Sequence, residues 1–315
     1  EPDMRRRHLL GLALPAILPG AARAQGRPNV VASFSILGDM ARQIGGERVA
    51  VRVIAGPNAD AHSFQPRPSD AEALRGAALV IRNGLGFDGW MDRVVRAAGY
   101  RGPVATATDG IEPRSMPAHA HNHGGGGAER RQSHGAGPRW VPDPHAWQDL
   151  RLGIRYARTV ATALAAADPP GAAAYAAAAE AYAARLTELD AWVRAGIAAV
   201  PEARRTVDTS HDAFVYVGAA YGATFLAPQG VSTEAEPSAA QVANLIRQIR
   251  AEGITAVFLE NMANPATLER LAREAGVTVR GRLYADALSE PSGPAPTYEA
   301  MFRHNVGLLV PAMRG

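Results

Sequence analysis

The stretch GAAAYAAAAEAYAARLTELDAWVRAGIAA, residues 171–199, decides how this chain is built. It has no internal proline, and its large side chains Tyr175, Tyr182, Leu186, Leu189, Val193 and Ile197 recur at spacings of three, four and seven. Such spacings place them on one helical face, and the alanine filling favours helix strongly. At 1.5 Å per residue the helix would run about 43 Å. That is longer than one small lobe and suits a spine running along two.

Working outward, strands alternate with helices on both sides of the spine. Before it, Val30–Phe34, Val49–Ile54 and Ala78–Ile81 read as strands, with helices over Ile36–Ile44, from an N-cap at Ser69 to Gly76, and from Gly89 to Ala98. After it, Thr206–Thr209 is a strand ending at His211, Ala239–Ala251 an amphipathic helix and Thr255–Glu260 a buried strand. Ala266–Ala275 is the next helix, with Val277–Val279 and Leu283-Tyr284 extended beyond it. Alternation of this kind predicts parallel sheets covered on both faces. The expected fold is therefore α/β: two Rossmann-like lobes, 25–170 and 201–315, joined by one long rigid helix over 171–200. In such sheets ligands sit beyond the carboxyl ends of the strands. A cleft between the lobes is the expected site.

The segment Met4–Ala24 limits the compartment. Arg5-Arg6-Arg7, an apolar run from Leu9 to Leu18, and Ala22-Arg23-Ala24 form a signal peptide with cleavage expected after Ala24. Arg6-Arg7 also fits a twin-arginine signal, so ordinary secretion and export of the folded protein both stay open. Glu1-Pro2-Asp3 lie upstream of the expected initiator Met4. No apolar run is long enough to span a bilayer. The sequence contains no cysteine, so the reading is a periplasmic protein with no lipid-attachment cysteine, no disulfide and no thiolate ligand. Any metal must be held by nitrogen and oxygen. All 33 basic residues are Arg, and removing residues 1–24 lowers the formal charge from +3 to +1. Such a near-neutral balance argues against nucleic acid or an anionic membrane as partner.

Three histidines stand far apart, each in its own short phrase: Asp60-Ala61-His62-Ser63-Phe64, Asp143-Pro144-His145-Ala146-Trp147 and Ser210-His211-Asp212-Ala213-Phe214. Imidazole is the commonest biological metal ligand, and three converging imidazoles describe a zinc site. His62, His211 and Asp286 all follow predicted strands, and His145 closes the loop that leaves the first lobe. Pro144 restricts Asp143 to extended geometry and fixes the approach to His145. The fourth place can be filled by a carboxylate, by water or by a loop His, and Glu234, Glu236 and Glu260 rival Asp286 for it. Asp149 and Asp212 read as structural groups or as partners that orient an imidazole. His304 reads as an ordinary hydrogen-bonded residue.

These phrases, together with Pro68-Ser69-Asp70, Tyr221-Gly222, Glu236-Pro237-Ser238 and Leu283-Tyr284-Ala285-Asp286, resemble the periplasmic metal-binding proteins of zinc and manganese ABC transporters. That family is called cluster A-I, and the likeness is strongest to its ZnuA-type zinc members. It runs over nearly the whole mature chain. The resemblance implies His62 and His145 as ligands from the first lobe, with His211 and Asp286 from the second. It also implies capture of Zn2+ between the lobes, partial ordering of the second lobe around the ion, and delivery by a monomer to a membrane permease. Manganese members of the family resemble this chain except for a Glu at the place of His211. Imidazole favours zinc there, whereas carboxylate oxygen suits manganese. The chain departs from the family pattern after Trp147, where Gln148-Asp149-Leu150 replaces the usual Leu-Asp-Pro.

The segment 116–138 carries His119, His121, His123 and His134 around Gly124–Gly127. Gly-rich polar sequence cannot bury enough surface to order itself, so a mobile accessory loop with weak metal affinity is expected. Similar loops in zinc members imply metal capture, sensing, or docking with a donor such as a periplasmic metallochaperone. A tolerated insertion is the plainer reading.

Two enzymatic readings compete with transport. Gly84-Leu85-Gly86-Phe87-Asp88-Gly89 matches the dinucleotide fingerprint, with Asp109 at about the expected distance, which would make an exported oxidoreductase. A zinc hydrolase would leave one coordination place to water and use Glu260 or Glu234 as base. There is no His-Glu-x-x-His motif, and Trp90 opens the helix where a pyrophosphate would need close approach. The reading is therefore a binding protein and not an enzyme.

Overall fold

The computed structural model describes residues 26–117, 140–227 and 239–315, apart from 252, 255, 263 and 264. The signal segment, the four loop histidines, Glu234 and Glu236 lie outside the described residues.

The first lobe runs β1 (Asn29–Phe34), α1 (Ser35–Gly45), β2 (Ala50–Ala55), α2 (Pro68–Arg75), β3 (Leu79–Arg82), α3 (Met91–Ala98) and β4 (Val104–Thr106). Its four strands pair in parallel in the order β2-β1-β3-β4. Val30, Val31 and Ala32 are buried in central β1, as expected for a strand covered on both faces. Helix α2 begins two residues earlier than its sequence suggests. Pro68 occupies the first helical position, where its missing N–H costs nothing, and the Arg67 N–H donates to Asp70 Oδ2 at 2.8 Å. Ser69 is thus inside the helix and is not its cap.

A short antiparallel pair, β5 (Ser115–Pro117) and β6 (Trp140–Pro142), then leads to α4 (Leu150–Ala167) and α5 (Ala172–Ala198). Helix α5 is the spine expected from the sequence. All six of its large stripe residues are fully buried. It is not alone, because α4 packs along it. The α4 positions Leu150, Gly153, Tyr156, Ala157, Val160, Ala161 and Leu164 form the buried face, and Asp149 caps the helix by accepting the Arg151 N–H at 2.9 Å. Gly153 is required there, since a Cβ would run into the Tyr298 hydroxyl.

The second lobe contains β7 (Thr206–Asp208), α6 (Val215–Tyr221), β8 (Thr224–Leu226), α7 (Ala239–Ala251), β9 (Ala256–Glu260), α8 (Pro265–Ala275), β10 (Thr278–Leu283) and α9 (Tyr298–Arg314). Its parallel sheet has the order β10-β9-β7-β8. The two extended pieces read separately from sequence are one strand, β10, with a register shift between Val279 and Gly281. Helix α9 packs on α5 and reaches α1 of the first lobe.

The apolar cores join these parts unequally. One continuous apolar cluster joins the first lobe, α4, α5, α9 and the inner part of the second lobe. A separate cluster of Val242, Leu245, Ile249, Ile254, Val257 and Leu271 lies under α7 and α8. The outer half of the second lobe therefore has a small core of its own. No helix among the described residues is long and apolar enough to cross a membrane.

Candidate metal centre

His62, His145, His211 and Asp286 come together at the carboxyl ends of the strands. His62 lies between β2 and α2, His145 between β6 and α4, His211 directly after β7, and Asp286 after β10. One donor atom from each lies within 4.8 Å of all the others. His62 Nε2 is 3.2 Å from His145 Nε2 and 3.1 Å from Asp286 Oδ2. His211 Nε2 is 3.0 Å from Asp286 Oδ2, and His145 Nε2 is 3.5 Å from Asp286 Oδ1. Tetrahedral zinc with bonds of about 2.0–2.1 Å sets its ligand atoms roughly 3.3 Å apart. The closest donor separations bracket that value.

Each donor is held from behind. The Trp90 indole N–H donates to the Ala61 carbonyl at 2.7 Å, fixing the turn that carries His62. Asp143 Oδ1 faces both the His145 backbone N–H at 3.0 Å and its Nδ1 at 2.7 Å. Asn83 Nδ2 donates to the Pro144 carbonyl at 3.0 Å, and Asn83 is itself held by the Tyr156 hydroxyl at 2.7 Å. Glu260 Oε1 accepts the backbone N–H groups of Ser210 and His211 at 2.9 and 3.0 Å. Its Oε2 stands 2.5 Å from His211 Nδ1, bent away from a linear hydrogen bond.

Asp286 is gripped from the opposite lobe. The Trp147 Nε1–H and the Gln148 Nε2–H both donate to the Ala285 carbonyl, at 2.9 and 2.8 Å. The Leu288 N–H donates to Ser35 Oγ, and the Leu288 carbonyl accepts the Asn58 N–H, both at 2.9 Å. The walls are apolar: Phe87 packs edge-on to His62 and Trp147 to His145, with ring centroids 4.6 and 5.2 Å apart. The His62 side chain is 6% exposed and the other three donors are fully buried. An ion can enter or leave only if this arrangement opens.

Burial and charge compete at these groups. Burial lowers the pKa of the His145 imidazole, but the Asp286 and Asp143 carboxylates outweigh it and push the value up to about 9. For His211 burial is likewise outweighed by Glu260 and Asp286, which hold its pKa well above the usual imidazole range. Burial would raise Asp286, yet His145 and His211 hold it well below the ordinary carboxylate range. His62 is lowered, because burial exceeds the pull of Asp286.

The metal-free site thus carries protons at neutral pH on imidazoles that must be neutral to ligate. Metal binding at pH 7.5 should release about two protons per ion. Affinity should rise with pH through about 9, where His145 loses its proton, and fall steadily below it, a higher window than ordinary imidazoles predict. Calorimetric titration in buffers of different ionisation enthalpy measures the release, and a value near zero at pH 7.5 would contradict the charge arrangement.

Other expectations resolve plainly. The Gly84–Gly89 loop makes no phosphate cradle, because the N–H groups of Asn83 and Gly84 donate to the buried Asp88 carboxylate at 2.6 and 3.0 Å. Gly84 is needed for its φ of +89° and for close contact with Thr106 and Thr108. His304 Nε2 lies 2.8 Å from the Arg282 carbonyl, away from the cluster. Glu260 lies behind His211 and not among the donors. The carboxylates against the imidazoles are Asp143 and Glu260, while Asp149 caps α4 and Asp212 is half-buried beside His211. Asp143 stood in the quoted phrase two residues before its imidazole, which is a usable signal. Glu260 lies 49 residues from His211, and Gln148 marked itself only as a departure from the family pattern.

Two α/β lobes around a buried cluster of nitrogen and oxygen donors define a two-lobed binding protein for a small cation. The family described as the periplasmic component A of the zinc-uptake complex, ZnuA, matches residues 30–312, and the chain belongs to it. This is a family of solute-binding components of metal ABC uptake systems that work outside the cytoplasm with a membrane permease, not a family of enzymes. The manganese-binding lipoprotein MntA of Halalkalibacterium halodurans is 31% identical over 282 residues, covering 90% of this chain and 87% of its own. The iron-binding protein YfeA of Yersinia pestis is 29% identical over 305 residues, covering 95% and 92%. Among solved structures, the periplasmic zinc binding protein TroA from Treponema pallidum superposes with a TM-score of 0.81 at 27% identity. It covers 92% of this chain and 100% of that one.

Proposed function

We propose that this protein captures Zn2+ outside the cytoplasm, with His62, His145, His211 and Asp286 as its four ligands, and delivers it to an ABC permease for import. The observation that carries the reading is the donor set itself: three imidazoles and one carboxylate, within reach of one ion and shielded from water. Three nitrogens and one oxygen make a closed four-coordinate shell that suits zinc. The Arg-rich start and apolar run of residues 4–24 support export by a cleaved signal. Burial of His145, His211 and Asp286 supports release by opening, since a permease that draws the lobes apart would break the donor shell.

A second reading is manganese or ferrous iron as cargo. It is favoured by the relatives named for those metals. Chelator-competition titration of metal-free mature protein with zinc, manganese and iron(II) separates the two. One tight zinc equivalent with the other metals far weaker supports the proposal. Equal or tighter manganese or iron binding would replace it.

The same titration tests the accessory role proposed for the His-rich segment. Pro117 and Trp140 are directly paired across β5 and β6, so a short turn can join them. Deleting residues 118–139 and closing with such a turn should leave the tight zinc equivalent unchanged and remove only weaker binding. Loss of the tight equivalent would place ligands within the segment.

A further inference from the structure

We infer that the side-chain amides of Asn58 and Asn261 form a clasp at the rim of the cleft, and that this clasp sets how fast the metal enters and leaves. This rests on the zinc-capture reading above and adds two residues that touch no metal. Asn58 lies in the turn after β2, four residues before His62. Asn261 is the first residue beyond β9, next to the Glu260 carboxylate that accepts the Ser210 and His211 N–H groups. Asn261 Nδ2 donates to Asn58 Oδ1 at 3.0 Å and to the Ala287 carbonyl at 3.2 Å. Ala287 directly follows Asp286. One amide thus joins the segments beside His62 and Asp286 to the strand end behind His211.

Chemistry fixes which way these amides point. A backbone carbonyl only accepts, so the Asn261 group facing Ala287 is its NH2, and the Asn58 atom facing that NH2 is oxygen. The Asn58 backbone has a φ of +55°, a left-handed conformation that asparagine adopts more readily than most residues with a Cβ. Its N–H donates to the Leu288 carbonyl at 2.9 Å, and the Leu288 N–H donates to Ser35 Oγ. Asn58 and the turn after Asp286 are therefore both held on the first lobe. Asn261 stands on the other side, where its N–H donates to the Leu283 carbonyl at 3.1 Å and prolongs the pairing of β9 with β10. Strand β9 gives Phe258 to the continuous cluster and Val257 to the separate outer core. Apolar packing thus anchors the outer unit at its base, while the Asn261 amide fastens it at the rim. Asn58 is exposed and Asn261 half-buried, so water can replace the contact as the outer unit swings away. A hydrogen bond exchanged for water is weak enough to open and close, as a gate must.

Asn58→Gly removes the acceptor and keeps both the backbone N–H and the left-handed turn, which glycine adopts freely. Zinc release should become about 3–10-fold faster, the kinetic equivalent of one ordinary hydrogen bond. One zinc should still bind per chain, and the melting temperature of the metal-free protein should change little. Asn261→Ala should release zinc at least as fast, because the Ala287 carbonyl also loses this donor. The double variant should be no faster than Asn261→Ala, since both substitutions break the same contact. Residues that merely shape their own turns would give additive rates. The sequence contains no cysteine, so Asn58→Cys with Asn261→Cys places two thiols without interference. Joining them in the zinc-loaded protein with a short reducible bifunctional thiol reagent should nearly stop release, and reduction should restore it.

The experiment is stopped-flow zinc release to a chromogenic chelator, at concentrations where the rate no longer depends on the chelator, for the wild type and these variants. Unchanged release in both single variants, additive rates in the double, or a cross-linked protein that releases zinc as fast as its reduced form would overturn the inference. Should the single variants fail to fold, the cross-linked pair decides instead. Thiols that the reagent cannot join would show that the two residues do not meet, and would overturn it as well. Absence of tight zinc binding in the wild type would remove the zinc-capture reading itself, a separate outcome.

Discussion

Replacing His211 by alanine should remove tight zinc binding and weaken the metal-free fold at the same time. The affinity loss follows from the donor count: one of four ligands goes, and its Nε2 is the atom 3.0 Å from Asp286 Oδ2. The fall should exceed the roughly 100-fold that the loss of an outer partner can cost. The stability loss has a different origin. Glu260 would be left buried with its Oε2 facing a void, and breaking a buried charge pair costs about 3–5 kcal/mol. His211→Gln separates the two effects, because an amide N–H can face Glu260 while no imidazole lone pair is offered to the ion. Zinc binding should be lost in both variants, with most of the stability recovered in His211→Gln. Urea unfolding with and without zinc reads both. The wild type should gain about 4 kcal/mol at free zinc 1,000 times its dissociation constant, and neither variant should gain. A His211→Ala protein still stabilised by zinc would show that this imidazole is not a ligand.

Why some of this was legible in the sequence and some not is a matter of range. The α5 stripe from Tyr175 to Ile197 is a local 3.6-residue period, and all its members are buried. The strand before His62 is a short, mostly apolar run and the one before His211, Thr206–Asp208, is short and β-branched at its start, and the sheet-end rule places ligands there whatever the partners. Helix α4 carries a comparable stripe through Leu150, Tyr156, Val160 and Leu164, but Gly153 interrupts its helix formers and blurs the local signal. That glycine answers to Tyr298, 145 residues away, and only the packed structure shows the need. The Gly84–Gly89 pattern misleads for the opposite reason. Its glycines do make a tight turn, but Asp88 supplies internally the negative charge that a nucleotide would bring. Glu260 could be named from sequence as a rival ligand. Its place behind His211 depends on the pairing of β7 with β9, where Asp208 meets Val257, and no local pattern fixes that register.

Removing both hydrogen-bond donors to the Ala285 carbonyl, as in Trp147→Phe with Gln148→Leu, should cost far more than the two single changes together. Either donor alone satisfies that buried oxygen, so the hydrogen-bond loss in each single variant should be about 1 kcal/mol or less, the net worth of an ordinary hydrogen bond, with a separate cavity cost in Trp147→Phe. With both gone, the carbonyl is buried and bare. That penalty is about 1–3 kcal/mol, and it falls on the residue directly before Asp286. Phe at 147 keeps a ring against Phe34, Phe87 and His145 but leaves a cavity where the larger buried indole stood. That cost is common to Trp147→Phe and the double variant, so the cycle cancels it and isolates the lost N–H groups. The grip on Asp286 from the first lobe is then reduced to Ser35 and Asn58 at Leu288. Zinc affinity should fall tenfold or more in the double variant and about threefold or less in each single one, given a loss of 1–3 kcal/mol in the held geometry. A double-mutant cycle in zinc affinity reports the coupling directly. Additive behaviour, with the double no worse than the sum of the singles, would mean that the first lobe does not position Asp286. The metal would then be closed over by the second lobe alone. Strong coupling would mean that Asp286 moves with the first lobe although its strand belongs to the second, so that opening the site separates His211 from the other three donors.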